Sequence, residues 1–90
     1  MNMFRMWGKL WKDNRLLHDI VACNSDYSMS RTAMVFQALS EICDAFDLSQ
    51  PIWLDANINE FKRHDKTRFT SDSFIEAIEF DYLEIHVIEE

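Results

Sequence analysis

The sequence predicts an α+β fold: a two-layer sandwich in which an N-terminal β-hairpin and a C-terminal strand form a mostly antiparallel sheet, with one long helix packed on it. Three observations carry this reading. Residues 3–23 alternate apolar and polar on either side of Asp13-Asn14, residues 31–47 carry one apolar stripe at helical spacing, and residues 80–88 alternate again. Ninety residues suffice for one domain, here 1–90, and are too few for a second independent core. Hydrophobic residues make up 48% and aromatics 13%, Trp7, Trp11 and Trp53 among them, so the chain has the apolar surface to offset the entropy of ordering.

The hairpin is expected because Asp13-Asn14 suits a two-residue turn whose positions need positive φ. Symmetric pairing across that turn sets Trp11 opposite Leu16, Trp7 opposite Ile20 and Gly8 opposite Asp19. One face then carries Phe4, Met6, Gly8 and Leu10 and is the expected core. The other carries Arg5, Trp7, Lys9 and Trp11 against Leu16, His18, Ile20 and Ala22. Gly8 inside a strand pattern predicts a bulge or the close approach of another backbone, and a bulge shifts the register by one residue. Asp19 on the core face needs a partner there.

Asn24–Ser30 reads as a polar loop. Val35, Phe36, Leu39, Ile42, Cys43 and Phe46 then form one helical stripe, with Ser30 as N-cap and Pro51 as the stop, which predicts a helix over 31–47 lying across the hairpin's apolar face. Pro51–Leu54 reads as a short strand or an extended connection. The spacing from Asn57 to Glu60 predicts a cap at Asn57 and a short helix to His64, and Ser73-Phe74-Ile75-Glu76 predicts a helical turn or two over 73–79. From Phe80 to Ile88, Leu83, Ile85 and Val87 face the core, with Tyr82, Glu84, His86 and Ile88 on the wetter side.

Sixteen acidic against nine basic side chains give a net charge of −7, the wrong sign for a surface that neutralises phosphates throughout. The charge is sorted along the chain. Residues 1–15 carry +3, 16–60 carry −6, 61–69 carry +3 and 70–90 carry −7, so two basic islands interrupt an acidic protein. With one Gly and one Pro, glycine-rich phosphate loops and proline-rich ligands are excluded. Cys23 and Cys43 show no metal-ligand spacing and read as reduced, buried thiols. His18, His64 and His86 are too scattered for a metal site. Neither a nucleophile motif nor a metalloprotease motif occurs, so no enzyme activity, cofactor or metal is expected. No apolar run long enough for a membrane span or a leader interrupts the polar pattern, and a cytoplasmic, soluble protein without membrane association is expected.

Phe46-Asp47-Leu48, Pro51-Ile52-Trp53-Leu54-Asp55, Asn59–His64, Lys66–Phe69 and Phe80–Ile85 resemble a family of small uncharacterised single-domain proteins from anaerobic Gram-positive, clostridial-type gut bacteria. The resemblance implies a bacterial, cytoplasmic, single-domain product and carries no activity or ligand with it.

On function, the interleaving of cations and rings in Arg5, Trp7, Lys9 and Trp11, facing Leu16 and Ile20, marks an interaction surface for another protein or for a second copy in a homodimer. The alternative reading is single-stranded nucleic-acid binding, with Arg5, Lys9 and the basic island Lys62, Arg63, Lys66 and Arg68 on phosphates and the tryptophans stacking bases. A third reading is an acidic inhibitor that covers a basic site on another protein with residues 72–90.

Overall fold

The computed structural model describes residues 3–90. Its α+β architecture follows the element order β1 (Phe4–Lys12), β2 (Arg15–Asn24), α1 (Arg31–Ala45), α2 (Asp55–His64), β3 (Lys66–Phe69), a 3-10 turn (Ser71–Ser73) and β4 (Tyr82–Glu89). The four strands form one sheet in the order β2-β1-β4-β3, every pair antiparallel. Two helices, not one long one, cover a single face of it. Beneath them lie Phe4, Met6 and Leu10 of β1, Ala22 of β2, Phe69 of β3 and Leu83, Ile85 and Val87 of β4, all buried with Leu39 and Ile42 of α1. Among the described residues no helix lies over the opposite face.

The hairpin turns at Asp13 and Asn14, both with positive φ, but its register differs from the symmetric one. Trp11 pairs with Leu16 as expected; then Leu10 pairs with His18, Gly8 with Ile20 and Trp7 with Val21, so Leu17 is an extra residue on β2. That bulge lies next to the turn, not at Gly8. Its consequence is that every residue from His18 to Cys23 changes faces: Asp19, Val21 and Cys23 leave the core side for the open face, Asp19 opposite Lys9, and His18, Ile20 and Ala22 move to the helix side, Ile20 opposite Gly8. Gly8 is instead a place of close approach, to a side chain rather than a backbone. A Cβ there would lie 2.5 Å from Ile42 Cγ2, so the missing side chain is what lets α1 settle on the centre of the sheet.

Helix α1 begins where its sequence says, with the Ser30 hydroxyl accepting the Ala33 amide. It ends at Ala45, well before Pro51, because Asp47 turns left-handed (φ 55°) and the Leu48 amide caps the Cys43 carbonyl at 2.8 Å. With one glycine in the chain, Asp and Asn take every left-handed position among the described residues: Asp13, Asn14, Asp47 and Asp65. Pro51–Leu54 is an extended connection outside the sheet, tied down by the Ile52 amide on the Ser73 carbonyl (2.7 Å). From it Trp53 packs edge-on against Phe36 of α1, Phe61 of α2 and Phe69 of β3, joining both helices to the sheet.

Asn57 is not the N-cap of α2. It sits one turn inside, where its Oδ1 accepts the Leu54 amide while its Nδ2 donates to Thr67 Oγ1 (3.0 Å) and the Arg68 carbonyl (2.8 Å). One buried amide therefore caps α2 and pins it to β3. The segment predicted as helix over 73–79 is not helical: only the 3-10 turn forms, and the chain then bends to β4. Among the described residues no helix is long and apolar enough to cross a membrane.

Gly8→Ala is expected to lose about 1–3 kcal/mol by overpacking against Ile42, and Ile42→Ala alone about 2–5 kcal/mol by cavity formation. In urea unfolding the double variant should lose clearly less than the sum, since each change relieves the other.

Candidate functional site: the open sheet face and its β2 edge

Alternation along the central strand sends Arg5, Trp7, Lys9 and Trp11 of β1 to the uncovered side. The register adds Asp19, Val21 and Cys23 of β2, Tyr82, Glu84, His86 and Glu89 of β4, and Lys66 and Arg68 of β3. Glu84 is the centre of this face and is only 8% exposed although no helix covers it. Its Oε1 accepts from Lys9 Nζ (3.2 Å) and Trp11 Nε1 (3.3 Å), and its Oε2 from Arg68 Nε (3.4 Å). Burial opposes the charge of this carboxylate, but the hydrogen bond and charge of Lys9, with the donors of Trp11 and Arg68, outweigh it and hold Glu84 below its ordinary value. Around it Lys9 lies over the Trp7 ring (3.9 Å), Arg68 over Tyr82 (4.7 Å), and Trp7 Nε1 donates to Asp19 Oδ2 (2.9 Å).

The two basic islands therefore meet, through Lys9 and Arg68, which share the single Glu84 carboxylate. Lys66 stands opposite His86 on the same face, Arg5 pairs with Glu89 at 3.3 Å, and Lys62 and Arg63 lie on α2 away from it. Of the six residues expected to form one patch, Arg5, Trp7, Lys9, Trp11 and Leu16 share the open face, while Ile20 does not. Glu84 and Asp19 complete that patch, both opposite Lys9. Glu84 was placed on the correct side by alternation, but which strand it neighbours depends on a long-range pairing that local patterning does not contain.

The edge of the sheet adds a second feature. The Asp81 amide bonds the Trp11 carbonyl, so Trp11 and, by alternation, Lys9, Trp7 and Arg5 direct their main-chain groups toward β4. Leu10, Gly8, Met6 and Phe4 then bond β2 through His18, Ile20, Ala22 and Asn24. Asp19, Val21 and Cys23 are left with amides and carbonyls pointing outward from the last strand of the sheet. Leu16, Leu17, Ile20 and Val21 are all exposed along it. Between Leu16 and Asn24 the only fully charged side chain is Asp19, already held by Trp7, and no proline or lysine guards the edge.

A cleft of about 310 Å³ separates α1 from α2, with Val35, Phe36, Trp53 and Ile58 on its walls and Arg31 and Lys62 at its rim. Among the described residues no group of three His, Cys, Asp or Glu side chains converges to hold a metal. Cys43 is buried in the core, where desolvation and the neighbouring Asp44 push its thiol up to about 11. Cys23, expected to be buried, is exposed: the register shift carries it to the open face, where Arg5 Nη1 reaches its Sγ at 3.5 Å.

No known protein family, no curated protein and no solved structure matches this chain.

Because the folded state lowers the Glu84 value, the stabilisation it supplies is full above the unfolded value of about 4.3 and is lost as pH falls through the folded one. Glu84→Gln should lose about 1–3 kcal/mol at neutral pH in urea unfolding and show a shallower decline on the acid side. A thiol reagent should modify one cysteine per native chain, at Cys23, and two after unfolding.

Proposed function

We propose that this chain is a non-enzymatic, cytoplasmic protein-interaction module of bacterial origin that accepts an extended segment of another polypeptide along β2. The observation that carries the reading is the outward row of main-chain donors and acceptors at Asp19, Val21 and Cys23, on a ten-residue edge strand whose charged side chains are Arg15 at the turn and Asp19, held by Trp7. Strand addition takes affinity from main-chain hydrogen bonds and specificity from alternate side chains. Here Leu16, Val21 and the rings of Trp7 and Trp11 offer apolar contact on the open face, and Leu17 and Ile20 offer it outside that face. Lys9 and Arg68 are engaged by Glu84, which favours a polypeptide over a nucleic acid as the ligand of this surface.

With a photo-crosslinking phenylalanine analogue at Val21, irradiation of cells that make the protein should yield discrete adducts. The same analogue at Ile75, which is 89% exposed and far from β2 in sequence, should yield none. Equal labelling at both positions, or none at Val21, would refute strand addition.

A further inference from the structure

The occupant of that edge follows from its own symmetry. Resting on the reading that β2 accepts a strand, we infer that the strand is β2 of a second copy, paired antiparallel about a twofold axis through Val21, so that two sheets become one continuous eight-stranded sheet. The ladder forms only where outward-facing residues stand opposite one another, and a twofold through Val21 is the one register in which Asp19, Val21 and Cys23 all find partners within that set. A twofold through Asp19 sets carboxylate against carboxylate and is disfavoured. The twofold through Val21 sets Val21 on Val21 and Asp19 opposite the second copy's Cys23.

That second arrangement is complementary in charge. Arg5 Nη1 lies 3.5 Å from Cys23 Sγ, so the Asp19 side chain of one copy is brought beside the Arg5 guanidinium of the other, twice per dimer. Trp7 holds Asp19 through Oδ2 and leaves Oδ1 for this contact. The same pairing covers Val21, 40% exposed in the single chain, and lays the two Trp7 rings on either side of it, since Trp7 and Val21 are cross-strand neighbours. On the helix side Ile20 meets the second copy's Ala22, with no like charges opposed.

Net charge sets the sign of the salt effect. Each copy carries −7, so association works against long-range repulsion while the contact itself is neutral overall. Raising salt from about 0.01 M to about 0.15 M shortens the screening length from about 30 Å to about 8 Å and should tighten the dimer. A basic partner docking on an acidic protein would loosen instead.

Sedimentation equilibrium on the full chain decides it. Wild type should be a dimer whose dissociation constant falls as salt rises. Val21→Lys sets two ammonium groups face to face and should weaken the dimer roughly tenfold or more, while Ile75→Lys, with the same change in net charge, should leave it as tight as wild type or slightly tighter. Circular dichroism of Val21→Lys, an exposed-edge change, should match wild type. A wild-type chain that stays monomeric at every salt concentration, or a dimer indifferent to Val21→Lys, would overturn self-pairing. If the photo-adducts at position 21 then contain a different protein, strand addition stands and the second copy is not its occupant.

Discussion

The Glu84 carboxylate, with Lys9, Trp11 and Arg68 around it, holds three strands together on the side of the sheet that no helix protects. It belongs to β4, takes two donors from β1 and one from β3, and is nearly excluded from water by the side chains that bind it. A carboxylate in that position is stabilising only while its lone pairs are occupied; stripped of its donors it would be a buried charge. The rings of Trp7, Trp11 and Tyr82, with the cations resting on them, form the rest of the pavement. Helices on one side and this polar-aromatic layer on the other let so short a chain keep a sheet with a single helix-covered face.

The reach of that network also defines where the structure is open. β2 touches it through one side-chain contact, Trp7 to Asp19, and is held besides by its ladder to β1, by Arg5 on Cys23, by Asn24 on Gln37 of α1, by His18 against Phe46 and by α1 packing across Ala22. The other ion pairs, Arg5 with Glu89 and Arg31 with Asp65 and Glu90, involve side chains 42–52% exposed, where such pairs contribute about 0–1 kcal/mol each. They orient termini and loops more than they hold the fold. Of the two edge strands, β3 is tied in through Arg68 to Glu84 and has its Arg68 carbonyl taken by Asn57, whereas β2 lies farther from the network and keeps its outward main-chain groups.

Local patterning made much of this legible. Alternation gave the core faces of β1 and β4, helical spacing and Ser30 gave α1, and Asp13-Asn14 gave the hairpin turn, because each of these is written within a few residues. The misses share a cause. Leu17 carries no mark of a bulge, being one leucine in an apolar run; the shift it causes moved Asp19, Ile20 and Cys23 together. Asn57 resembles an N-cap in sequence but is needed one turn further in, where α2 meets β3, a contact with no local signature. Pro51 suggested the end of α1, yet Asp47 and Leu48 end it, and an aspartate in the left-handed region is invisible where glycine is the usual sign. Gly8 in a strand pattern points to a bulge or to the close approach of another backbone; the bulge lies elsewhere, and the close approach is by the Ile42 side chain. Residues 73–79 fit a capping box but are held by contacts to the core at Phe74 and Ile78 rather than by helical hydrogen bonds.

The bulge at Leu17 is the hinge between the protein's interior and its proposed surface, since it decides which main-chain groups of β2 face β1 and which face outward. Amide hydrogen exchange along β2, measured on dilute protein at low salt where single chains dominate, reads that choice residue by residue. His18, Ile20 and Ala22 should be protected, and Asp19, Val21 and Cys23 should exchange rapidly. The opposite alternation would mean an unbulged hairpin, returning Asp19 to the core side and removing the outward row on which strand addition depends.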